Sequence, residues 1–113
     1  MGATSRRKGA EGEREVAHLL GVTRNARNGV STSDLAVPDA CPYHIEVKRW
    51  GRGTMSDLYA ALDQATADAT GKSPVVVVRT NRREWVAVQW IGDAAWLKDA
   101  VKEAGSVETR QDI

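Results

Sequence analysis

Residues 75–78 are four valines in a row, introduced by Pro74. β-branched side chains crowd the preceding turn of a helix and pack well on a pleated strand. An unbroken apolar run has no alternate face to give to water, so such a strand is covered on both sides. The covering elements are legible on either side of it. From Gly9, the residues Val16, Ala17, Leu19 and Leu20 recur at helical spacing, and Gly21 can end that helix. Thr54 or Ser56 can cap a second helix in which Leu58, Ala61, Leu62, Ala65 and Ala69 share a face, closed by Gly71. Asp93 can cap a third, with Leu97, Ala100, Val101 and Ala104 on one side and Gly105 at its end.

Further strands are predicted over Asp34–Val37, Tyr43–Lys48 and Trp85–Trp90, with a weak extended piece from Val22 to Ala26. Asn28-Gly29 is a turn signal. Pro38 and Pro42 make the segment between the second and third strands a loop. A hairpin centred on Ala40 would set Val37 opposite Tyr43 and Asp34 opposite Glu46. The predicted order is α-β-β-β-α-β-β-α. It describes a single α/β domain over residues 1–113, a central mixed β-sheet flanked by helices. Residues 1–8 read as a basic, flexible N-terminus and 106–113 as a polar C-terminal tail.

Hydrophobic residues are 42% of the chain, enough for a core, and charged residues are 27%, which excludes a collagenous or low-complexity chain. No apolar run approaches the roughly 20 residues of a membrane helix. The basic start has no apolar segment behind it, unlike a secretory signal. The single cysteine, Cys41, excludes an internal disulfide and fits a reducing compartment. The expectation is a cytoplasmic protein, in a host's cytoplasm if viral, with no membrane partner. Net charge is +1, from 16 basic and 15 acidic residues, and by itself favours no partner. Its distribution is uneven. Arg6, Arg7, Lys8, Arg14, Arg24 and Arg27, then Lys48, Arg49 and Arg52, then Arg79, Arg82 and Arg83 form basic groups, while many acids lie in 57–68 and 99–112. Segregated charge can give a neutral protein one basic face, which suits polyphosphate; the plainer reading is scattered, solvated charge.

The chemistry centres on Ile45-Glu46-Val47-Lys48. Residues two apart on a strand share a face, so Ile45 and Val47 point one way while Glu46 and Lys48 stand side by side on the other. Exposed strands often carry such pairs. In the hairpin register Asp34 comes within reach of Glu46, and two acids held close either raise a pKa or bind a cation. Oxygen-only ligation suits magnesium. At 100° per residue Glu13 falls in the arc of Val16, Ala17 and Leu20, whereas Glu11 and Glu15 point away. A glutamate on the packed side of a helix needs a partner, a metal or a lysine, unless it reaches solvent at the helix edge.

The run Arg7-Lys8-Gly9-Ala10-Glu11-Gly12-Glu13-Arg14-Glu15-Val16, then Ser31-Thr32-Ser33-Asp34-Leu35, then Ile45-Glu46-Val47-Lys48, closely resembles the archaeal-type Holliday junction resolvases of the PD-(D/E)xK nuclease superfamily. The likeness runs from about Arg6 to Val78. It implies the PD-(D/E)xK fold and a magnesium site, with manganese as a substitute, formed by Glu13, Asp34, Glu46 and Lys48. It implies phosphate contact by Arg14 and DNA contact by Arg24 or Arg27 and by Ser31 or Ser33, with Arg7, Lys8, Arg49 and Arg52 as further DNA-binding residues. The implied partners are branched DNA and a second copy of the chain, with no small-molecule substrate. Aromatics of the family's second helix are mostly missing, Tyr59 being the only ring there. Rival functions are another superfamily nuclease acting on flaps or duplex in repair, restriction or phage replication, and a DNA-binding module that does not cut.

Other candidates carry less. Cys41 and His44 are too few for a zinc site, and His18 sits on another element. No Ser-His-Asp order or glycine-rich phosphate loop is present. Gln64 follows on the second helix as a surface residue or a functional amide. Trp50 either stacks on DNA or closes the core at a strand end.

Overall fold

The computed structural model describes residues 2–25 and 34–111, with side chains over 7–25 and 34–105. The Asn28-Gly29 turn, Arg27, Ser31 and Ser33 lie outside the described residues. The element order is α1 (Gly2–Leu20), β1 (Thr23–Arg24), β2 (Leu35–Ala36), β3 (Tyr43–Arg49), α2 (Met55–Asp68), β4 (Ser73–Arg79), β5 (Val86–Val88), a 3-10 turn (Ile91–Asp93) and α3 (Ala95–Gln111). This is an α/β domain with the element order the periodicity predicts. Among the described residues, no helix is long and apolar enough to cross a membrane.

The strands form two sheets rather than one. β3 and β4 run parallel in the register Glu46↔Val76 and Lys48↔Val78, and β5 pairs antiparallel with β4. β1 and β2 make a separate two-stranded antiparallel ladder, Thr23↔Ala36 and Arg24↔Leu35. The expected hairpin of β2 with β3 is therefore corrected: β2 pairs with β1. Only Val37 separates β2 from Pro38, so no long backbone ladder can form there. Asp34 reaches β3 by another route, accepting the Val47 N–H on Oδ2 at 2.6 Å.

The valine strand is covered on both faces. On one side Val76 and Val78 pack with Ala61, Leu62 and Ala65 of α2. On the other Val77 joins Val16 and Ala17 of α1, Leu35 of β2, and Ile45 and Val47 of β3. Complete burial of side chains this size contributes about 1.5–3 kcal/mol each. α2 is capped by Thr54, not Ser56: Asp57 N–H donates to Thr54 Oγ1 at 3.2 Å and Thr54 N–H donates to Asp57 Oδ2 at 2.8 Å, a capping box. Ala69 is the C-cap of α2 rather than a member of its face.

Gly21 ends α1 at φ +72°, with Val22 N–H bonded to Ala17 O and Gly21 N–H to His18 O, the double bond of a left-handed helix stop. Gly12 sets how closely α1 sits on the sheet. A Cβ there would lie 2.9 Å from Arg49 Cβ and 3.2 Å from the Trp85 ring.

Both ends of the chain depart from expectation. α1 starts at Gly2, not Gly9, because Ala3, Arg6, Arg7 and Lys8 are good helix formers with no proline among them. α3 runs through Gly105 to Gln111, since one glycine costs about 1 kcal/mol and does not stop a helix. Asp93 closes the 3-10 turn instead of capping α3. Residues 95–105 of α3 are exposed throughout, so its apolar side covers no part of the sheet. The strand expected from Trp85 to Trp90 is reduced to Val86–Val88.

Candidate active site

Glu46 and Lys48 project from the face of β3 that also carries His44, toward α2; Ile45 and Val47 go into the α1 core. Glu46 is 7% exposed and His44 6%. His44 Nε2 lies 2.9 Å from Glu46 Oε1. Asp34 approaches from the edge of β3, anchored on the Val47 N–H. Burial raises the Glu46 carboxyl, the hydrogen bond with His44 opposes this, and the charge and hydrogen bond of Asp34 add to the rise; the result is about 7, against an ordinary 4.5. Asp34 and Glu46 thus meet as the sequence reading expects, although without the backbone hairpin behind that expectation.

Glu13 is core-facing as its helical phase predicts, at 5% exposure. Its partner is a cation: Arg24 Nε donates to Glu13 Oε1 at 3.0 Å. Arg24, expected with Arg27 as an alternative DNA contact, is thus engaged within the protein by α1, its side chain still partly exposed. Glu15, on the exposed side of α1, accepts from Arg79 at 2.8 Å and from the Trp85 indole at 3.1 Å, pinning the helix to the end of β4. Among the described residues, no three His, Cys, Asp or Glu side chains are gathered as a ready metal cage.

Lys48 lines a cleft of about 330 Å³ with Trp50, Arg52, Asp57 and Gln64. Gln64, expected at the surface or as a functional amide, is exposed and borders the same cleft as Lys48. Trp50 packs on the α2 core and forms a wall of this cleft, so it closes the core and still borders open space. Arg7, Arg14 and Arg52 are exposed, and Lys8 is half-buried. Arg49 is held between Trp50 O and Asn81 Oδ1. Tyr59 stacks on Trp90 with centroids 6.1 Å apart. Cys41 is a half-buried thiol donating toward Tyr43 O.

The residue the sequence reading passes over is His44. As a chemical group it enters that reading only as a zinc ligand beside Cys41. Its spacing, His44-x-Glu46-x-Lys48, already puts it on the carboxylate's face of the strand.

The donor set fits a hard divalent cation. The Glu46 carboxyl, whose proton affinity is raised by burial and by the neighbouring Asp34, would be relieved by such an ion, and magnesium needs only one or two protein carboxylates. Placed on one strand face and its edge, the group defines an acidic pair beside a lysine. No protein-family model, curated protein or solved structure matches the chain.

Proposed function

We propose that the protein is a magnesium-dependent endonuclease of the PD-(D/E)xK kind that hydrolyses DNA phosphodiesters, with four-way junctions as substrate and a homodimer as the working form. The observation that carries this reading is the meeting of Asp34 and Glu46, two segments distant in sequence, with Lys48 two residues along the same strand face. Magnesium held by these two carboxylates would supply positive charge to a phosphate oxygen and acidify a bound water.

The chain's own residues do the rest. Asp34 is oriented by the Val47 N–H, which it accepts on Oδ2. His44 fixes the rotamer of Glu46. Lys48 would take or steer the proton of the attacking water, or neutralise charge on the phosphate. Glu13 acts at one remove, holding Arg24 against α1. Arg7, Lys8, Arg14 and Arg52 offer phosphate contacts without sequence content. A junction presents two strands for symmetric cutting and one small domain offers one site, so a two-fold pair suits it.

A second reading has its own support. His44 occupies an oxygen of Glu46 and Arg24 an oxygen of Glu13, as expected in a DNA-binding module that no longer cuts. Purified protein incubated with labelled junction, fork and duplex DNA, with magnesium, manganese or EDTA, separates the two. Metal-dependent nicking supports the nuclease, and binding without nicking in either metal supports the module.

A further inference from the structure

A second cleft, of about 630 Å³, opens between the start of α2 and the turn joining β4 to β5. Trp50 walls both this cleft and the one holding Lys48, so the two clefts adjoin a single indole. Its lip is apolar and wet: Met55 is 62% exposed and Val86 52%. Its rim is basic, with exposed Arg82 and Arg83 against one carboxylate, Glu84. Arg79, also there, is tied to Glu15.

The turn itself is unusual. Arg82 has φ +64°, the left-handed region in which glycine is the unstrained residue. A side chain kept where the backbone favours none points to use of that side chain.

We propose that this cleft receives an unpaired nucleobase of the nucleic acid passing Lys48, with the flanking phosphates on Arg82 and Arg83. The inference rests on the nucleic-acid reading above and deepens it to a substrate class: DNA with an unstacked nucleotide beside the cutting position, as at a fork, tail or branch. A nucleobase has flat apolar faces that Trp50, Met55 and Val86 match, and guanidinium groups bind phosphate in bidentate fashion. A base inside a duplex stack cannot enter such a cleft.

Fluorescence anisotropy in EDTA, with the full chain, tests this on three labelled probes: blunt duplex, the same duplex with a short thymidine tail, and that duplex with an abasic tail. The thymidine tail should bind about tenfold more tightly than the other two. Met55→Asp and Arg82→Gly should each remove that preference, and Arg82→Gly should melt at the same or a higher temperature because the turn is relieved. Equal binding of all three probes by the wild type, or a preference that survives both variants, overturns the cleft assignment and leaves the nuclease reading standing. Failure to bind any of the probes also overturns the cleft assignment, while the junction-cleavage assay described above decides the nuclease reading separately. A poly-glutamate peptide displacing the tail while blunt duplex stays bound would assign the cleft to acidic peptide and overturn the nucleobase.

Discussion

Glu46 carries more of the site's behaviour than any other residue. Its folded value of about 7 lies above the ordinary 4.5, so the fold favours the protonated form. The sign follows from linkage: that contribution is complete below about pH 4.5 and is lost as pH rises through 7. Metal-free protein should therefore melt at a lower temperature at pH 8 than at pH 5. Glu46→Gln, which cannot ionise, should lose the part of this slope that Glu46 causes, at most a few kcal/mol. Calorimetric melts of both proteins across that range check it, and parallel curves would show that Glu46 does not titrate in this window. Magnesium should bind more tightly as pH rises through 7, because ligation needs the ionised carboxylate. Asp34→Asn keeps an acceptor for the Val47 N–H and removes one negative charge, so it should fold, bind DNA as well or better, and lose cleavage. Wild-type cutting by that variant would end the metal assignment. Glu13→Gln should lose far more activity than Glu15→Gln, since only Glu13 is buried; matched losses in the same assay would refute this.

At the scale of the elements, the contact between α1 and β3 is set by a missing side chain. Gly12→Ala gains about 1 kcal/mol of helix propensity, yet its methyl would press on Arg49 Cβ at 2.9 Å, next to backbone that has little room to yield. Overpacking of this kind costs about 1–3 kcal/mol, so the net effect should be destabilising. Gly9→Ala is the natural comparison: nothing lies within 4 Å of its Cβ position, and only the propensity gain remains. Urea unfolding should move the two midpoints in opposite directions. Arg14, exposed on the same helix, belongs to a different test. Arg14→Ala should weaken binding to every DNA shape and make the salt dependence shallower by about one unit of slope. An effect confined to one DNA sequence would mean that Arg14 reads bases.

For the whole molecule, the exposed apolar surface is the main consequence of the way α3 leaves the sheet. Ile91 is 78% exposed, Trp96 57% and Val101 66%. Large apolar side chains exposed to this extent are candidates for contact with another protein surface. A second copy also answers the geometry of a junction, whose two opposed strands need two sites. Light scattering should therefore give the mass of a dimer at micromolar concentration, and junction DNA should be nicked symmetrically in preference to duplex. A monomer that cuts junction and duplex equally would transfer the proposal to a general nuclease acting on flaps or linear DNA.

Much of this was legible along the chain because it is periodic and local. The valine run declares a covered strand, the phase of α1 turns Glu13 inward, and alternation sets Glu46 and Lys48 on one face. Those relations span at most a few turns of helix or one strand, and backbone geometry fixes them before any tertiary contact exists. Contacts between distant segments were decided elsewhere. β2 chose β1 over β3, Arg24 went to Glu13, His44 took an oxygen of Glu46, and α3 stayed off the sheet. Each of these is a competition among partners of similar chemistry, where propensity is nearly neutral and packing selects. Asp34 shows both at once: its closeness to Glu46 could be anticipated, but the means was a carboxylate on the Val47 N–H, because an edge N–H of β3 needs an acceptor and two-residue β2 supplies no ladder.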